Sequence, residues 1–133
     1  MGAHGGLIGS AIDYIRFLTS IDGQRKPLLF QPNTFKEMLA VPNDPALRDK
    51  PVYYAKGFLV RKLAGGGVNF WHTGSLPGTM TIAVRTWSGY SWVAFFNTRP
   101  DDHTKVHLDI DRTLWEGIRP IKEKPSGDLF NKY

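Results

Sequence analysis

The sequence predicts an α+β fold, an antiparallel β-sheet meander with flanking α-helices. Two stretches near the ends of the chain carry apolar residues at helical spacing, and turns bearing glycine or proline divide the apolar middle into strands. A chain of 133 residues, 41% of them hydrophobic, is long enough for one core. We therefore predict a single α+β region over residues 1–120 and a charged, loosely held tail over residues 121–133.

The first helix is predicted from about Ala11 to Ile21, because isoleucine and leucine recur there at helical spacing. Ser10 precedes it as a good N-cap, and Asp13 lies at the positive end of the helix dipole. Gly23 follows as a helix stop. These signals predict both ends of the helix.

Two further helices are predicted. A short one covers Thr34 to Ala40, is capped by Asn33 and ends before Pro42. A longer one covers about Thr104 to Ile118, where Val, Ile and Leu recur at i, i+4 spacing behind an acidic start. A polar loop is expected from residue 42 to residue 51.

The middle of the chain predicts four strands: Val52–Leu63, Val68–Thr73, Thr79–Trp87 and Tyr90–Thr98. We expect a bulge at Gly57, a turn at Pro77-Gly78 and a tight hairpin at Ser88-Gly89. Met80, Ile82 and Val84 fall on one face of the third strand. The fourth strand is apolar on both faces, which predicts a central strand covered on both sides.

Composition excludes several classes of protein. The chain has no cysteine, which excludes disulfides, thiolate nucleophiles and cysteine-based zinc sites. No apolar run approaches the roughly 20 residues of a membrane span, so no span is predicted. The net charge of +5 comes from scattered Lys and Arg residues, which favours a solvated basic surface.

Two other patterns in the sequence are candidate sites. His103, His107 and Asp111 recur every four residues on the last predicted helix, where a solvent-facing polar stripe is favoured over a metal site. Lys56-Gly57-Phe58 matches only the start of an RNA-recognition strand motif. We therefore predict no metal, no cofactor and no nucleic-acid partner.

The segment Phe70-Trp71-His72-Thr73-Gly74-Ser75-Leu76-Pro77-Gly78 places His, Thr and Gly at the end of a strand before a turn. It resembles the third motif of serine β-lactamases, DD-peptidases and related esterases, which is Lys-Thr-Gly in many members and His-Thr-Gly in others. Two upstream segments agree in order and spacing. Gly5-Gly6-Leu7-Ile8-Gly9-Ser10 resembles the family's Gly-Gly-Leu segment before a helix, and Ala55-Lys56-Gly57-Phe58 resembles the strand that precedes the third motif.

The resemblance implies a role for each residue of the motif. His72 and Ser75 would be catalytic: His72 would orient the substrate or relay a proton, and the Ser75 backbone N–H would donate to an oxyanion. Thr73 and Gly74 would bind the substrate, Thr73 through its hydroxyl and Gly74 by letting a substrate backbone approach closely. The acyl chain would pair with this strand as an added β-strand.

Two motifs of the family are absent. No serine is followed three residues later by lysine, so the Ser-x-x-Lys nucleophile is missing. No tyrosine begins a Tyr-x-Asn triplet. We therefore interpret the chain as the C-terminal part of a β-lactamase-like domain, inactive alone, whose partner is the missing N-terminal part of its parent chain and whose Met1 is an added start.

The parent is expected to be a serine hydrolase that acts through an acyl-enzyme on a D-amino-acid peptide, a β-lactam or an ester. The resemblance implies a periplasmic or secreted parent. Two alternatives stay open from the sequence. One is a non-catalytic peptide- or protein-binding domain that kept the fold, and the other is a nucleic-acid-binding α+β domain.

Overall fold

The computed structural model describes residues 5–22 and 28–123. The helices are α1 (Ala11–Ile21), α2 (Pro32–Leu39) and α3 (His103–Ile118), with a short 3₁₀ turn at Pro45–Leu47. The strands are β1 (Val52–Tyr54), β2 (Leu59–Lys62), β3 (Val68–Leu76), β4 (Thr79–Arg85) and β5 (Ser91–Phe96). All five form one sheet in the order β1-β2-β3-β4-β5, and every neighbouring pair is antiparallel. The predicted α+β fold class is confirmed.

The chain divides into two compact units, Met1–Arg99 and Pro100–Tyr133. The sheet, α1 and α2 belong to the first unit, and α3 belongs to the second. The helix stop predicted at Gly23 lies outside the described residues, as does the greater part of the predicted tail.

Helix α1 has the predicted bounds because its N-terminus is closed by local hydrogen bonds. The Ser10 side chain accepts from the Asp13 backbone N–H at 3.1 Å, and the Asp13 carboxylate accepts from the Ser10 backbone N–H at 2.9 Å. This reciprocal pair is a capping box. The hydrogen bond from the Ser10 hydroxyl, with that from its backbone N–H, lowers the pKa of the Asp13 carboxyl.

Helix α2 begins two residues before its predicted start, and the expected cap at Asn33 is wrong. The helix starts at Pro32, and Gln31 is the N-cap without a side-chain hydrogen bond. Proline suits a first helical position because its φ is already helical and the missing N–H has no partner there.

The single strand predicted over Val52–Leu63 is wrong, because this stretch is the hairpin of β1 and β2. Gly57 has φ +91°, a conformation that favours glycine, and the Ala55 N–H donates to the Phe58 carbonyl at 2.7 Å. Gly57 therefore reverses the chain instead of forming a bulge. The turns predicted at Pro77-Gly78 and Ser88-Gly89 are both present.

The core lies on the face of the sheet that bears Val60 and Phe70. Leu18 and Ile21 of α1 are buried in it, and Tyr53 donates its hydroxyl to the Leu39 carbonyl at 2.8 Å. Burying one leucine or isoleucine side chain contributes about 1.5–3 kcal/mol. The whole buried cluster is Leu18, Ile21, Leu39, Tyr53, Ala55, Phe58, Val60, Phe70 and Ala83.

Met80, Ile82 and Val84 alternate along β4 on the opposite face and are buried, as predicted from their spacing. The expectation that the last strand is central is wrong, since β5 is the outer strand of the described sheet. In the described sheet, β5 has a strand neighbour on one edge only. One of its apolar side chains, Phe95, is 43% exposed.

Helix α3 starts at His103, one residue before its predicted start. Asp102 caps it by accepting from the Lys105 N–H at 3.3 Å. Among the helices that the structure describes, none has the length and apolarity to cross a membrane.

Candidate functional site

The second half of β3, which carries the four predicted site residues, has a strand neighbour on one side only. The ladder between β2 and β3 ends at the pair Leu59 and Trp71. The ladder between β3 and β4 continues to the pair Leu76 and Thr79. Within the described sheet, the β2 side of residues 72–76 is therefore an open edge.

The hydrogen-bonding pattern decides which backbone groups face this open edge. The Leu63 N–H donates to the Gly67 carbonyl at 2.9 Å, so the bonded positions of β3 on the β2 side are the odd-numbered ones, up to Trp71. Continuing this alternation directs the N–H and C=O groups of Thr73 and Ser75 towards the open edge. Those of His72 and Gly74 face β4.

The four side chains lie on two faces of the strand. His72 and Gly74 share the face of Phe70, which is the core face, and Thr73 and Ser75 lie on the opposite face. His72 pairs with Ala83 across the sheet and is half-buried. The structure thus brings the four residues to one strand end but separates the His72 side chain from the two hydroxyls.

One tyrosine that the sequence reasoning missed contacts His72, and a second lies near the first. The Tyr54 ring makes an edge contact with the His72 ring, with centroids 6.2 Å apart. Burial raises the pKa of Tyr14 on α1, and the nearby Tyr54 raises it further. The Tyr14 ring packs against Phe95 at 6.3 Å. Tyr54 lies directly before the Ala55–Phe58 segment. This place in the sequence was the signal that could have identified it as a candidate site residue.

Gly74 is required by a neighbour within the sheet. A Cβ at this position would lie 2.5 Å from the Thr81 hydroxyl oxygen, its cross-strand partner on β4. Any larger residue at position 74 would therefore displace the Thr81 side chain. This constraint acts in addition to the close substrate approach predicted for Gly74.

Arg99 was also missed by the sequence reasoning. Its Nε donates to the Ser75 hydroxyl oxygen at 2.7 Å. Ser75 pairs with Met80, and Met80 pairs with Phe96, so the three residues form one row across the sheet. Arg99 follows Phe96 by three residues. The turns at residues 77–78 and 88–89 indicate the two hairpins, but they do not give the register that brings Arg99 to Ser75.

Within the described ranges, no group of three or more His, Cys, Asp or Glu residues is arranged to hold a metal ion. The His103 and His107 rings of α3 contact each other edge to face at 6.3 Å. His107 is buried, so the solvent-facing stripe expected at His103, His107 and Asp111 is wrong.

A family model described as Beta-lactamase matches residues 1–113 of the chain. No curated protein and no solved structure matches it. The match spans both upstream segments, the His72–Ser75 segment, the whole sheet and the first part of α3.

Proposed function

Since the chain belongs to the Beta-lactamase family, it is a β-lactamase-related hydrolase region, and we propose that it supplies the substrate-binding edge of a serine acyl hydrolase. In this proposal an acyl chain lies along the open edge of β3. A serine outside these 133 residues attacks the acyl carbonyl, forms an acyl-enzyme and is released by water.

The observation that carries the proposal is the outward direction of the Ser75 backbone N–H at an open strand edge. A fixed backbone donor is suited to an oxyanion because it needs no reorganisation when charge develops on the carbonyl oxygen. One such donor contributes about 10²–10³ in rate. The outward N–H and C=O of Thr73 support the same mode, since they offer a substrate backbone the next pair of strand-like hydrogen bonds.

The side chains take the remaining roles in this proposal. His72, on the core face beside Tyr54, orients the substrate or relays a proton near neutral pH. Thr73, on the other face, offers its hydroxyl to a polar group of the substrate. Gly74, on the same face as His72, leaves that part of the strand without a side chain. The substrate classes that fit are D-amino-acid peptides, β-lactams and small esters.

Catalytic incompleteness of this chain is part of the proposal. None of its serines has a lysine three residues later, and Tyr-x-Asn does not occur. A serine hydroxyl without a base is a weak nucleophile at neutral pH. We propose that an upstream part of the parent supplies both motifs.

A domain that binds peptides without hydrolysing them is the second candidate. The observation that favours it is an open edge combined with a sequence that lacks the nucleophile motif. Both candidates need the same edge, so the test below addresses the edge itself.

The test is an NMR titration of the ¹⁵N-labelled chain with a short N-acetylated D-alanyl peptide. We expect the amide signals of Thr73 and Ser75 to shift, because their N–H groups gain acceptors. The variant Ser75→Pro removes the outward N–H without removing a bond to β4, and it should weaken binding by about tenfold or more.

Ser75→Ala is the matched control, since it loses the same hydroxyl but keeps the N–H. A thermal melt of each variant confirms that it folds. Equal affinities for Ser75→Pro and Ser75→Ala, or shifts confined to residues far from β3, would refute the proposed edge.

A further inference from the structure

We propose that the outer edge of β5 is a dimerisation surface, at which a second copy of this chain pairs its own β5 in antiparallel orientation. This edge lies two strands away from β3 in the sheet and is independent of the proposed function. In the dimer one sheet runs through both copies, and the β3 edge of each copy stays open.

Half of the backbone hydrogen-bonding groups of β5 face away from β4. The Thr86 N–H donates to the Tyr90 carbonyl at 2.9 Å, so the even-numbered positions of β5 are the ones that bond to β4. The N–H and C=O groups of Ser91, Val93 and Phe95 therefore point to the outer side. No strand of the described sheet lies on that side.

This alternation makes the edge complementary to itself. In an antiparallel pair, bonded residues exchange both N–H and C=O with the residue opposite. A two-fold axis perpendicular to the sheet brings odd-numbered residues of one β5 opposite odd-numbered residues of the other, so the outward groups of the two copies meet. Because each copy uses its single β5 edge, the assembly closes at two copies.

No charge on β5 opposes the pairing. A chain of net charge +5 repels a copy of itself, but Ser91–Phe96 contains no charged residue. The nearest cation before the strand, Arg85, is buried in an ion pair with Asp22. Proteins commonly protect an exposed edge with charges, proline or a very short strand. At the opposite edge of the sheet, β1 has three residues and follows Pro51, whereas β5 has six residues and no proline.

Aromatic side chains beside this edge offer apolar surface to the second copy. Phe95 is 43% exposed, and its ring packs against Tyr14 of α1 at 6.3 Å. The Tyr14 ring contacts Phe17 at 5.8 Å, and Phe17 is 36% exposed. Pairing at β5 puts the two copies of this cluster on the same face of one continuous sheet, on either side of the two-fold axis. Apolar surface is thereby removed from water, which stabilises the dimer.

Sedimentation equilibrium of the chain between about 10 μM and about 1 mM, a range suited to weak complexes, tests the proposal. We expect a monomer–dimer equilibrium. Val93→Pro removes one outward N–H from each copy and no bond to β4, so it should raise the dissociation constant about tenfold or more. Ser75→Pro is the matched control, since it removes an outward N–H at the β3 edge and should leave dimerisation unchanged.

A second variant tests the same edge without removing a backbone donor. Phe95→Lys keeps every N–H group but places like charges at the β5 edges of both copies, so it should prevent dimerisation. Tyr54→Lys is its control, because Tyr54 is 51% exposed and lies on β1 at the opposite edge of the sheet. It should leave the dimer intact. A thermal melt of each variant shows whether it folds.

Amide hydrogen exchange locates the contact. The N–H groups of Val93 and Phe95 should exchange more slowly at high than at low protein concentration, whereas those of Thr73 and Ser75 should not change. A chain that stays monomeric over the whole range, association beyond two copies, or a dimer that survives both Val93→Pro and Phe95→Lys overturns the proposal. Protection at Thr73 and Ser75 in place of Val93 and Phe95 overturns it too, since the contact would then lie at the β3 edge.

Discussion

Ser75 illustrates how one strand residue contributes in two directions. Its backbone N–H faces the open edge, while its hydroxyl, on the face away from the core, accepts from Arg99 at 2.7 Å. His72, three positions earlier, presents its ring to the opposite face beside Tyr54. A β-strand has this capacity because side chains alternate between its faces and backbone groups alternate between its edges. Side-chain and backbone groups of neighbouring residues on this strand therefore point in four directions.

At Gly74 the contact with Thr81 leads to a stability prediction. Gly74→Ala should lower the free energy of unfolding by about 1–3 kcal/mol, the usual cost of forcing a methyl group into a filled position. Thr81→Ala in the same chain should recover most of the loss because it removes the hydroxyl that the new Cβ meets. Urea denaturation of the single and double variants measures both effects.

Gly65→Ala is the control for this prediction. A Cβ at Gly65 meets no atom within 4 Å, and its φ is not positive, so little change is expected. If Gly74→Ala is as stable as Gly65→Ala, the contact with Thr81 does not constrain position 74.

The shortness of the β1–β2 hairpin leaves one edge of β3 open in the described sheet. Its tip at Ala55–Phe58 ends the ladder at the level of Trp71, whereas β3 continues for five more residues beside β4. A longer β2 would occupy the edge that faces Thr73 and Ser75. The open edge thus depends on a difference in strand length.

A buried ion pair joins the end of α1 to β4. Arg85 Nε lies 2.6 Å from an Asp22 carboxylate oxygen, with both side chains 5% exposed. The guanidinium also donates to the backbone carbonyls of Thr86 and Tyr90. We expect Asp22→Ala to cost about 3–5 kcal/mol because it leaves a buried, uncompensated charge.

The surface pair of Arg112 and Asp109 supplies the comparison, with side chains 69% and 48% exposed. Asp109→Ala should cost less than about 1 kcal/mol because water screens this pair. Chemical denaturation of both variants gives the two values. Similar small losses in both would mean that the pair of Asp22 and Arg85 does not stabilise the junction of α1 and β4.

At the scale of the whole chain, the part that matches the Beta-lactamase family includes the whole sheet, but the chain lacks the Ser-x-x-Lys motif. The match covers residues 1–113, which include β3 and its edge, yet no Ser-x-x-Lys occurs in the 133 residues. In the proposed function this edge binds an acyl group, and the serine that attacks it comes from outside these residues.

The chain alone should therefore not be acylated. We expect no label from a fluorescent penicillin or a fluorophosphonate after prolonged incubation at neutral pH, measured by gel fluorescence and intact-mass spectrometry. A serine β-lactamase treated in parallel confirms that the probes are reactive. Stoichiometric labelling of any serine in this chain would show that it contains its own nucleophile.

Local signals in the sequence determined much of the fold. The bounds of α1 were predicted correctly because Ser10 and Asp13 close the helix with bonds three residues apart. The β3–β4 and β4–β5 hairpins followed from turn residues at Pro77-Gly78 and Ser88-Gly89, which act over four residues. These features depend on neighbours in the chain, so composition and spacing sufficed.

Only the tertiary structure decided the features that involve distant residues. It divided Val52–Leu63 into two strands, made β5 an outer strand, and opened the edge beside Thr73 and Ser75. The sequence alone located the His72–Ser75 segment, and the catalytic roles of those residues remain predictions. It did not locate Arg99, because that contact spans 24 residues and depends on the register of two successive hairpins. Register and strand length are set by pairing across the whole sheet, which no single stretch of sequence encodes.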